Sequence, residues 1–140
     1  MSRTLPLAAL AALLLLLAAP AGAVTKNGIT PVTPKAGDTI PSGRASVFKL
    51  NVKGPSAGTF VAVCKSRHRD ADGVICEKAT FGKAKHRQGS RYEYKAKFFD
   101  FPGFWLNSPG TYYWQAYRTH CDTGISDCKA EGPVVKFKVG

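Results

Sequence analysis

Between Arg91 and Phe98 every second residue is apolar: Tyr92, Tyr94, Ala96 and Phe98 alternate with Arg91, Glu93, Lys95 and Lys97. A helix, turning by about 100° per residue, would scatter both sets around its circumference. A strand sends successive side chains to opposite faces and so separates them cleanly. The segment is therefore expected to be a half-buried strand with one wet, charged face.

The same period recurs along the chain. Ser46, Phe48, Leu50 and Val52 share a face against Val47, Lys49, Asn51 and Lys53, and near the end Val135, Phe137 and Val139 stand against Val134, Lys136 and Lys138. Thr59 to Cys64 is apolar on both faces, as in a strand with neighbours on either side. Turns are marked at Gly54-Pro55-Ser56 and from Arg67 to Gly73, and no stretch beyond the N-terminal region keeps a helical period. About seven short strands divided by Gly, Pro and Asp turns predict an all-β fold, an antiparallel β-sandwich. Residues 24–34 are expected to be a lead-in or at most an edge strand, because Pro31 and Pro34 deny it ladder donors. Residues 35–140 then make a single β-sandwich domain.

Residues 1–23 have a different character. Arg3, an apolar run from Leu7 to Ala19, the helix-breaking Pro20 and the small residues Ala21-Gly22-Ala23 have the layout of a secretory signal peptide cut after Ala23. As a helix that run would rise only about 20 Å, short of the roughly 30 Å needed to cross a bilayer. The exported chain would be secreted or held at the cell envelope. It would also be strongly cationic, since the whole sequence has 20 Lys and Arg against 9 Asp and Glu, a net charge of +11. Anionic surfaces attract such a protein.

All four cysteines, Cys64, Cys76, Cys121 and Cys128, lie in the exported part. An even number in an oxidising compartment points to two disulfides in preference to a metal site. Pairing Cys64 with Cys76 and Cys121 with Cys128 is preferred, because each pair then brackets a polar, turn-rich segment. The other two connectivities remain open.

The segment Leu106 to Tyr117, LNSPGTYYWQAY, resembles one strand of the fibronectin type III family. In that family a leucine precedes by six residues a tyrosine whose hydroxyl bonds back across the connection between sheets, as Leu106 precedes Tyr112. The family's Pro-Gly-Thr stands here as Pro109-Gly110-Thr111, although its proline usually sits one residue further away, which would nominate Tyr113. Parity selects Tyr112: Tyr112, Trp114 and Ala116 make an apolar set for the core, leaving Tyr113, Gln115 and Tyr117 to face outward. Glu131-Gly132-Pro133 leading into Val134 to Val139 is likewise similar to the last strand of many bacterial fibronectin III and immunoglobulin-like domains. The resemblance implies a fold. Such folds bind through variable loops and faces, so it implies no particular ligand.

Candidate binding residues fall into three groups. Lys83, Lys85 and Arg87 belong to a basic stretch that also includes Lys65, Arg67, His68, Arg69, His86 and Arg91, the footprint expected for an anionic polymer. Interleaved Asp70, Asp72, Glu77 and Glu93 favour the plainer reading of a solvated surface. Phe101 and Trp105 lie in an aromatic turn that either plugs the end of the sandwich or offers a platform to sugar rings or an apolar partner. Tyr113 and Tyr117 form the third group, with burial beneath the Cys64–Cys76 hairpin as the structural counter-reading.

His68, Asp70, Asp72 and Gly73 make a poor calcium loop, and no nucleophile elbow or His-Glu-x-x-His pair occurs. No catalytic residue, cofactor or metal is expected. The sequence thus points to a secreted, non-enzymatic binding or adhesion module of the cell envelope or extracellular space. Its partner would be an anionic polysaccharide, cell-wall material or a protein, with nucleic acid the lesser choice. The alternatives are a structural spacer without a ligand of its own and, third, a secreted hydrolase or inhibitor.

Overall fold

The computed structural model describes residues 22–68, 80–96, 106, 108–119 and 129–140. Nine strands follow one another: β1 (Ile29–Thr33), β2 (Thr39–Ile40), β3 (Ser46–Val52), β4 (Gly58–Cys64), β5 (Thr80–Lys83), β6 (Lys85–His86), β7 (Arg91–Ala96), β8 (Gly110–Thr119) and β9 (Lys129–Val139). They form a four-stranded sheet in the order β1-β3-β7-β6 and a five-stranded sheet in the order β2-β9-β8-β4-β5. The all-β, two-sheet expectation stands, but the strand count of about seven is corrected to nine. The surplus comes from β2 and β6, which have two residues each and are too short to show a period.

All pairings are antiparallel except β2, which runs parallel to β9 with Thr39 opposite Lys138 and Ile40 opposite Val139. The chain thus enters through one sheet at β1 and passes to the other at β2, crossing at a cis Thr33-Pro34 bond. β1 is the edge strand of its sheet, and it supplies the fully buried Ile29.

The alternations seen in the sequence become the core. Phe48 lies at its centre, edge-on to Trp114 (5.5 Å between centroids) and to Phe137 (5.7 Å), with Tyr94 tilted beside it. Leu50, Val61, Val63, Tyr112, Ala116 and Val139 complete the packing. Each large side chain removed from water contributes roughly 1.5–3 kcal/mol before the entropy of ordering is counted, so these inward rows dominate stability.

Tyr112, at the start of β8, donates its hydroxyl to the Ser108 carbonyl at 2.7 Å. The parity argument selected the right tyrosine, since Tyr112 is fully buried and Tyr113 only half-buried. Further along, Gln115 pairs with Val134 but Tyr117 with Glu131, which leaves Gly132 and Pro133 opposite the single residue Ala116. This bulge suits its sequence. A Cβ at Gly132 would stand 2.7 Å from Ile29 Cγ2, Pro133 needs no ladder donor there, and Gln115 Nε2 donates to the Gly132 carbonyl at 2.8 Å.

Candidate binding surface

The two outward sheet faces differ in kind. On the five-stranded sheet, Phe60, Ala62 and Cys64 of β4 stand opposite Tyr117, Gln115 and Tyr113 of β8. This face is closed at its middle: Ala62 and Cys64 are fully buried, and Gln115 and Tyr117 nearly so. Tyr113 and Val134 pack on Cys64 in a small second cluster. Phe81 of β5 stacks on Phe60 at 5.4 Å and on Tyr117 at 5.9 Å, while the Lys129 ammonium sits 5.3 Å from the Tyr117 ring centre.

Tyr113, Gln115 and Tyr117 lie on the outer sheet face, as their parity requires, and Gln115 and Tyr117 are buried there. Phe81 of β5 and Lys129 of β9 lie over Tyr117, Gln115 is tied to the Gly132 carbonyl, and Tyr113 is half-buried. Cys64 is disulfide-bonded. Cys76, Cys121, Cys128, Phe101 and Trp105 lie outside the described residues.

The four-stranded sheet presents an open outer face. Its inward rows are the core residues Phe48, Leu50, Tyr92, Tyr94 and Ala96. Outward, Val47 pairs with Lys95, Asn51 pairs with Arg91, and Lys49, Glu93 and Lys85 line up across β3, β7 and β6. Arg87 joins them, its backbone N–H bonded to the Arg91 carbonyl. Lys49, Lys85, Arg87, Arg91 and Lys95 are all exposed. The one carboxylate among them, Glu93, accepts from Arg87 Nε at 2.9 Å, and Arg91 donates to Gln88 Oε1 at 2.9 Å. Side chains on such a face repeat about 4.8 Å apart across strands and about 7 Å apart along them, so Lys49, Lys85, Arg91 and Lys95 ring Glu93 on neighbouring points of one lattice.

The basic residues proposed from sequence divide between the two sheets. Lys83 closes β5 in the five-stranded sheet, Ala84 is buried at the crossing with its N–H on the Thr59 carbonyl (2.8 Å), and Lys85 opens β6 in the other. Lys85, Arg87 and Arg91 reach the cationic face. Lys49 and Lys95 are its unforeseen members. Their signal was present in the alternation, but it took the β3–β7 register to bring them together. Lys65, Arg67 and His68 are exposed at the far end of β4. Among the described residues no three of His, Cys, Asp and Glu gather into a metal-binding group.

No family model and no curated protein matches this chain.

Proposed function

We propose that the chain is a secreted, non-enzymatic binding module that attaches to anionic material at the cell envelope or in the extracellular space. The carrying observation is the exposed cationic lattice on the four-stranded sheet, where five basic side chains share a face with one carboxylate. Export rests on the leader-like residues 1–23, which would be removed after Ala23.

An immunoglobulin-like or fibronectin III-like identity belongs to the same proposal. The order β1-β3-β7-β6 against β9-β8-β4 follows the ABED and GFC sheets of immunoglobulin-type sandwiches, and Tyr112 supplies a tyrosine corner. The preferred pairing Cys64–Cys76 with Cys121–Cys128 belongs to it as well; the bonded state of Cys64 supports a disulfide at that position and does not choose its partner.

The test is retention on immobilised heparin compared with neutral dextran across a sodium chloride gradient. Saturable retention on heparin alone, released by salt, supports the module. Equal behaviour on both matrices refutes it and points to a spacer without a ligand.

A further inference from the structure

We infer that the outer face of the four-stranded sheet, where Lys49, Lys85, Arg91 and Lys95 surround the Arg87–Glu93 ion pair, is a docking surface for a linear acidic polysaccharide. The inference rests on the anionic-ligand reading above and adds to it a location and a ligand class.

The location follows from contiguity. Exposed lysines also occur on the five-stranded sheet, but Lys83 lies on edge strand β5 and Lys136 and Lys138 on β9, with β4 and β8 between them. The middle of that face is the buried band of Ala62, Gln115 and Tyr117. Its charges cannot act on one ligand chain without spanning that band. On the four-stranded sheet Lys49 and Lys85 flank Glu93 from either side, and Arg91 and Lys95 lie diagonal to both, at the roughly 7–8 Å of diagonal cross-strand neighbours. Arg87 is engaged by Glu93, which leaves Lys49, Lys85, Arg91 and Lys95 to meet the ligand's anions.

The ligand class follows from what the face contains and lacks. Among the described residues the exposed large apolar side chains are Val24 and Phe81, and neither belongs to this face. It therefore has no apolar wedge to enter a lipid surface and no open ring on which to stack bases. Glu93 at the centre of the lattice discriminates further. Duplex DNA carries a charge about every 1.7 Å of its axis, so a phosphate would be forced toward that carboxylate. A polysaccharide with one carboxylate or sulfate per sugar can place its anions on the lysines to either side and lay an uncharged stretch over Glu93.

The experiment compares two triple variants with equal change in charge and good strand propensity: Lys49→Thr/Arg91→Thr/Lys95→Thr on the proposed face, and Lys83→Thr/Lys136→Thr/Lys138→Thr on the other sheet. Matched thermal melts establish that both are folded. Heparin and alginate serve as polysaccharide probes and a short DNA duplex as competitor. The first variant is expected to bind heparin and alginate at least about tenfold more weakly, with a shallower salt dependence, and the second to stay within about twofold of the parent. Equal losses in both variants would mean that net charge acts without a site, and would overturn the inference while leaving the anionic reading intact. A duplex that competes as well as heparin overturns the ligand class. Failure of the parent to bind either polysaccharide removes the anionic reading and this inference together.

Discussion

The indole Nε1 of Trp114 donates to the carbonyl of Pro34 at 2.9 Å, joining the middle of β8 to the point where the chain crosses between sheets. Both residues are buried, so neither group has water as a substitute. Trp114→Phe would keep most of the ring volume but orphan that carbonyl. A loss of about 1–3 kcal/mol is expected in urea unfolding, with the fold retained.

Tyr112→Phe removes the hydroxyl bond to Ser108 and should cost about 0.5–1.5 kcal/mol at neutral pH. A second signature lies at high pH. Burial raises the Tyr112 phenol above its ordinary value, so the folded protein holds that proton more tightly than the unfolded chain. The stability this represents is complete below about pH 10 and is lost as pH rises through the folded value. Alkaline unfolding curves of the Phe variant should lack that part of the decline, and parallel curves for both proteins would refute the assignment.

Gly132→Ala tests the bulge. Its Cβ would meet Ile29 Cγ2 at 2.7 Å and the Ala116 carbonyl oxygen at 3.0 Å, with backbone on one side and a fully buried side chain on the other. Overpacking of this kind costs about 1–3 kcal/mol, which would show as a lower melting temperature.

Breaking the disulfide by Cys64→Ala should destabilise by about 2–4 kcal/mol, measured by unfolding under non-reducing conditions. Peptide mapping without reductant is expected to recover Cys64 joined to Cys76. Recovery with Cys121 or Cys128 would refute the proposed connectivity.

The inward rows of β3, β7 and β9, and the choice of Tyr112 over Tyr113, were legible because the strand period of two is written locally. Each apolar set lies within one short segment. Strands β2 and β6 were not legible, since two residues carry no period. Burial of Tyr117 was legible as cover for an outer-face ring, but not which residues supply it: Phe81 and Lys129 come from segments far from it in the chain. The cationic face was half legible. Lys49 and Lys95 each read as solvent-facing, but their meeting around Glu93 depends on a register between segments far apart in the chain.

The parallel run of β2 beside β9 has a mechanical consequence. Gly37, Lys138, Gly140 and Ser42 donate, in turn, to the carbonyls of Lys136, Asp38, Ile40 and Gly140, at 2.8 to 3.0 Å. Because the two strands point the same way from opposite ends of the fold, tension along the chain slides one past the other and loads these bonds together. An antiparallel edge would open them singly, like a zip. For a load applied between β2 and the end of β9, resistance is therefore set by a small patch at the margin of the sandwich, ahead of the aromatic core behind it.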